Sequence, residues 1–153
     1  MRTLVLAVAL ALAVATAALA PAGTATAAGQ HGGVATVMTH GSDYGRILFD
    51  GRGAALYAFT RDPVARGRST CAGACASAWP PLLTAAMPRA GAGVARSLLG
   101  TLRRSDGSRQ VTYAGRPLYT YVGDRRPYQV LCQDVTEFGG VWLVIRPGGR
   151  LVR

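Results

Sequence analysis

Lysine is absent from this chain: all 17 basic residues are arginine, the mark of a GC-rich genome more than of a designed site. Histidine is confined to His31 and His40, and both precede every cysteine. No Cys-x-x-Cys or Cys-x-x-Cys-His occurs, which argues against a thioredoxin-type redox motif and against covalently attached haem. Gly-x-Ser-x-Gly is missing, and so are the glycine motifs that cradle phosphates, which leaves a serine hydrolase or a nucleotide enzyme without support. No cysteine lies between Met1 and Thr70, so a diacylglycerol anchor has no attachment point there. Beyond residue 20 no apolar run reaches the length of a membrane helix, and Val141 to Ile145 suffices only for a strand.

The first such run does exist. Met1-Arg2-Thr3 opens positively, Leu4 to Ala20 is apolar but for one Thr, and Pro21 to Gly29 is small and rich in breakers. This pattern reads as a secretory signal peptide over residues 1–27, cleaved near Ala27 or Ala28. A flexible lead-in over 28–33 and one domain over 34–153 are expected to follow, in the cell envelope or outside it, with no stable membrane span.

Acidic residues number only 7, and the formal net charge is +10. With Arg2 removed, 16 arginines face those 7 acids. They are scattered singly or in pairs, such as Arg103-Arg104 and Arg125-Arg126, without a basic arm or helix. Export together with this scatter argues against nucleic acid and for anionic neighbours, either cell-envelope polymers or lipid headgroups.

The chain is organised by a repeat. Leu56-Tyr57-Ala58-Phe59-Thr60-Arg61-Asp62 returns as Leu118-Tyr119-Thr120-Tyr121-Val122-Gly123-Asp124. Gly-Arg precedes each copy and a tryptophan follows each; Tyr57 to Tyr119 is an offset of 62 residues and Trp79 to Trp142 one of 63. Two related units, about 46–85 and 109–146, are therefore expected to pack together, since neither can bury its apolar face alone.

Alternation and turn signals predict strands at Val34–Met38, Arg46–Phe49, Leu56–Thr60, Ser97–Leu102, Gln110–Tyr113 and Val141–Ile145. Gly41-Ser42-Asp43 and Asp50-Gly51-Arg52-Gly53 read as turns, Pro88 to Gly93 as a loop and Asp124 to Glu137 as irregular. Two helical turns are expected over Thr70–Ala78 before Trp79-Pro80-Pro81. The expected fold class is all-β: a small two-unit pseudo-repeat domain, as a barrel or a two-lobed meander, with a short helical turn at the Cys-x-x-x-Cys segment.

Each candidate chemistry has a plainer counterpart. Cys71 and Cys75, four residues apart in an exported chain, suit a disulfide that clamps the loop before Trp79. Cys132 is the odd cysteine: buried and reduced, bridged to another molecule, or partner to one of the others. A Cys71, Cys75, Cys132 and His40 tetrahedron lacks ligand spacing beyond its first pair, so no metal and no cofactor is expected. Asp62 and Asp124 recur equivalently, which favours fixing turns through backbone N–H bonds or an arginine over acid–base work. Tyr57, Phe59, Trp79, Tyr119, Tyr121 and Trp142 form either a core joining the repeats or a stacking face for a planar, sugar-like or anionic ligand.

The blocks Leu56-Tyr57-x-Phe59-x-x-Asp62, Ser69-Thr70-Cys71-x-x-x-Cys75-Ala76-x-x-Trp79-Pro80-Pro81-Leu82, Asp106-Gly107 with Gln110 to Tyr113, Pro117-Leu118-Tyr119-x-Tyr121-x-x-Asp124 and Phe138-Gly139-Gly140-x-Trp142 resemble a bacterial secreted-repeat family. Its members are described as predicted lipoproteins with a Tyr-x-aromatic-x-x-Asp motif. The resemblance implies an envelope location and no assigned biochemical activity. Two departures stand out: this chain lacks the anchoring cysteine that many members carry, and it has Cys132 before Gln133, where a small residue is usual. The expected role is a non-enzymatic binding or structural module. The alternative is an extracytoplasmic redox or electron-transfer accessory protein that uses the cysteines or an added metal or cofactor.

Overall fold

A computed structural model describes residues 33–64 and 67–153. The expected signal peptide and all of the lead-in but Gly33 lie outside the described residues. Among the described residues nine short strands form three three-stranded sheets, without closing into a barrel. The first sheet holds β1 (Thr36–Ser42), β2 (Gly45–Asp50) and β4 (Arg89–Ala90), in the order β2-β1-β4. The second holds β3 (Tyr57–Phe59), β8 (Val135–Glu137) and β9 (Gly140–Val144), with β9 central. The third holds β5 (Leu99–Arg103), β6 (Arg109–Tyr113) and β7 (Arg116–Pro117).

Strand alternation divides the interior in two. Tyr57 and Phe59 of β3 enter an aromatic cluster with Ile47, Phe49, Trp79, Tyr119, Trp142 and Val144. Leu56 and Ala58, pointing the other way, enter an aliphatic cluster with Val37, Leu48, Leu82, Val111, Leu118 and Ile145. The strand is thus buried on both faces, and one residue of slippage would exchange the two sets.

Several boundaries differ from the sequence reading. β1 runs on through Gly41 and Ser42, where a turn was expected, because its antiparallel ladder with β2 continues to Ser42 opposite Gly45. The expected loop at Pro88–Gly93 contains β4, parallel to β1, with Arg89 N donating to Ala35 O and Gly91 N to Val37 O. Ser97 and Leu98 lie in a 3-10 turn, and the strand starts at Leu99. The helix at the cysteines, α1, covers only Ala74–Ala78. The segment expected to be irregular ends in β8, joined to β9 by Phe138-Gly139 at φ 53° and 76°. Such left-handed pairs make the tight turn whose twist matches antiparallel strands.

The second copy of the motif makes no ladder strand of its own. It is held by isolated bridges, Tyr119 to Tyr57 and Tyr119 to Pro81. Asp50 shows how a short acid builds a turn: its Oδ1 accepts from the N–H groups of Arg52 and Ala54 at 2.8 and 2.9 Å.

Candidate functional site

The two copies of the motif meet at Tyr57 and Tyr119. Tyr57 N donates to Tyr119 O at 2.9 Å, and Tyr119 N donates back to Tyr57 O at 3.0 Å. Each phenol then crosses to the aspartate of the other copy. Tyr57 Oη donates to Asp124 Oδ2 and Tyr119 Oη to Asp62 Oδ2, both at 2.7 Å. The remaining carboxylate oxygens fix the following loops: Asp62 Oδ1 accepts from Thr70 N and Oγ1 at 2.7 and 2.8 Å, and Asp124 Oδ1 from Leu131 N at 3.0 Å. Thr70 and Leu131 are thus equivalent, which makes Cys132 the counterpart of Cys71.

The aromatic rings follow the same exchange. Trp79 and Trp142 stack on each other, with centroids 4.0 Å apart and planes 2° apart. Phe59 stacks on Trp142, the tryptophan of the other repeat, at 4.3 Å, and Tyr121 leans on Trp79 at 4.6 Å. Tyr57 and Tyr119 meet the edges of Trp79 and Trp142 at 5.2 and 5.1 Å. The aromatic residues of the two copies are therefore joined through the two indoles, which lie between Phe59 and Tyr121. Gly140 permits this approach, since a Cβ there would stand 2.5 Å from Phe59. Of these six rings only Tyr121 is partly exposed.

Polar chemistry is unequal across the pair. Trp79 Nε1 donates to Glu137 Oε2 at 2.7 Å, whereas the buried Trp142 Nε1 has no hydrogen-bond partner among the described residues. Burial, then the facing carboxylates, drive the phenols of Tyr57 and Tyr119 far above the ordinary tyrosine range. Desolvation also raises the Asp124 carboxyl, against the opposing bonds from Tyr57 and Leu131.

Cys71 and Cys75 form a disulfide, with Cα atoms 5.2 Å apart beside α1. Cys132 is free and half-buried, and desolvation pushes its thiol up while a hydrogen bond with Tyr121 pulls the other way. His40 stacks on Tyr128 at 3.9 Å, and no three His, Cys, Asp or Glu gather as a metal site among the described residues.

The sequence reading passed over one residue. Arg104 has a side chain only 7% exposed. Its Nη1 donates to Ser69 Oγ at 2.8 Å and to Gln110 Oε1 at 2.6 Å, and its Nη2 to Cys71 O at 2.6 Å. Ser69 Oγ in turn lies 2.7 Å from Tyr119 Oη. Because the phenol donates to Asp62, the serine donates to the phenol, and a directed chain runs from guanidinium to carboxylate through two hydroxyls. Gln110, fully buried, completes it by donating from Nε2 to Leu118 O at 2.8 Å. Within the sequence, Arg104 was only half of an arginine doublet. On the outer side of this chain lies a cleft of about 650 Å³ lined by Arg68, Ser69, Thr70, Arg103, Arg104 and Ser105.

Exchange of tyrosine–aspartate bonds about two stacked indoles defines a two-repeat β domain in which the repeat motif is the joint. A family model described as a secreted repeat of unknown function matches twice, over residues 38–83 and 100–146, and the chain belongs to that family. Neither curated proteins nor solved structures gave a match. No helix among the described residues is long and apolar enough to cross a membrane.

Proposed function

We propose that this domain is an exported, non-enzymatic module that binds anionic polymers of the cell envelope through its arginine surface. The observation that carries the reading is how the fold sorts charge. Of the seven acids, Asp50, Asp62 and Asp124 are turned inward to serve turns and phenols, which leaves Asp43, Asp106, Asp134 and Glu137 exposed. Every described arginine except Arg104 and Arg116 is exposed. The surface is therefore more cationic than the composition suggests, and a field of that kind gathers polyanions without needing one shaped pocket.

The motif aspartates support the non-enzymatic part, because each carboxylate is engaged by a phenol and by backbone N–H groups. A redox accessory role draws less support: the Cys71–Cys75 sulfurs are buried, and the raised Cys132 thiol has little thiolate at neutral pH. The test is retention of the mature chain on immobilised poly(glycerol phosphate) against neutral dextran across a salt series. Retention on the polyanion alone, falling steeply with salt, is expected. Equal retention on both supports, or none on either at low salt, would overturn the reading.

A further inference from the structure

We propose that the cleft bounded by Arg68, Ser69, Arg103, Arg104 and Ser105 is a discrete site for a phosphate group. The inference rests on the polyanion reading and gives one unit of such a polymer a place to seat. Three arginines and no acid line the cleft among the described residues, and Asp106 lies next to Arg104. That acid is a weak counter-ion: its Oδ2 stands 3.9 Å from Arg104 Nε, and its Oδ1 accepts from Ser108 N and Oγ at 2.9 and 2.6 Å. Arg104 Nε makes no hydrogen bond among the described residues. The other carboxylate on its network, Asp62, is joined to Arg104 only through the hydroxyls of Ser69 and Tyr119 and is bonded to Thr70 of the cleft wall.

A buried guanidinium whose ion pair among the described residues is as long as 3.9 Å is only partly compensated, and an anion in the cleft supplies further negative charge. The wall is also rigid, because Arg104 is pinned by Ser69, Gln110 and the Cys71 carbonyl, and Cys71 is tied by its disulfide to Cys75. A pre-set guanidinium costs less entropy on binding than a free one. Thr70 contributes shape only, since its N–H and hydroxyl both go to Asp62. Arg68, Arg103 and Ser105 also line the cleft; Arg103 Nη1 donates to Gly107 O at 2.8 Å and its guanidinium keeps further N–H groups, a set of donors that suits a tetrahedral oxyanion with several oxygens to satisfy.

The experiment is calorimetric titration of the mature chain with inorganic phosphate at low salt, on wild type, Arg68→Ala/Arg103→Ala and Arg125→Ala/Arg126→Ala. The first double variant alters exposed rim residues and keeps the pinned Arg104; the second removes equal charge elsewhere. Saturable binding is expected, weakened about tenfold in the first variant and within about twofold of wild type in the second. Equal losses in both variants, or no loss in the first, would overturn the site. Wild type retained on poly(glycerol phosphate) but not saturated by phosphate sinks this inference and leaves the polyanion reading standing. Failure of the polymer to compete with phosphate would overturn the polymer as the source of the group.

Discussion

The indole of Trp79 lies flat on that of Trp142, with centroids 4.0 Å apart, and each is covered on its outer face by an aromatic residue from the other repeat's motif. A column running Phe59, Trp142, Trp79, Tyr121 therefore alternates between the repeats, and neither half has a complete core without the other. The crossed bonds from Tyr57 to Asp124 and from Tyr119 to Asp62 bind the column at its sides.

Those two bonds are equal in length and unequal in setting. Asp62 is only 4% exposed, while Asp124 is half-buried. Removing a donor from the more buried acid strands more charge, so Tyr119→Phe should cost about 2–3 kcal/mol and Tyr57→Phe about 1 kcal/mol. Urea unfolding measures both, and the reverse order would contradict this ranking.

Alkaline stability follows from the same phenols. Both are held neutral in the fold well past pH 10, where unfolded tyrosines ionise. Above that pH the unfolded state binds fewer protons than the native one, so stability falls as pH rises, by up to about 1.4 kcal/mol per unit for each phenol. Below it both states are neutral and the contribution is whole. Urea midpoints between pH 9 and 11.5 should fall steeply in wild type and more gently in Tyr57→Phe/Tyr119→Phe; equal slopes would contradict the assignment.

The two tryptophans occupy equivalent places and differ in one bond. Trp79→Phe loses the hydrogen bond to Glu137, whereas the Trp142 Nε1 makes none among the described residues. Trp79→Phe should therefore destabilise by about 1 kcal/mol more than Trp142→Phe. Comparison of thermal midpoints checks the order.

Much of this joint was legible in the sequence because repetition is visible without structure. The copies at 56–62 and 118–124 marked the tyrosines, the aspartates and the tryptophans, and the cysteine spacing marked the disulfide. The crossing was not legible, since a repeat shows which residues are equivalent and leaves open which copy each one touches. Arg104 was hidden for another reason: its role depends on Ser69 and Cys71 of one loop and on Gln110 of β6, brought to it by two separate segments. β4 escaped because its two residues follow Pro88 and owe their pairing to β1 rather than to their own pattern.

The cysteines should separate cleanly by reactivity. One thiol, Cys132, should alkylate without reduction, and faster in urea than in the native protein, because burial raises it. Replacing Cys71 and Cys75 by Ser should cost about 2 kcal/mol, the low end for disulfides, as the closed loop is short. Mass spectrometry after alkylation and urea unfolding of the variant check the two expectations; three free thiols in the untreated protein would contradict the first.

The central claim is that the motif joins the repeats while the arginines meet the ligand. It is tested most directly by the affinity for poly(glycerol phosphate) of two folded variants: Tyr121→Ala, which removes the one partly exposed ring of the column, and Arg68→Ala/Arg103→Ala. Tyr121→Ala should bind as wild type does, and the arginine variant more weakly. Loss of binding in Tyr121→Ala, with the arginine variant unchanged, would contradict the account and make the aromatic column a stacking site.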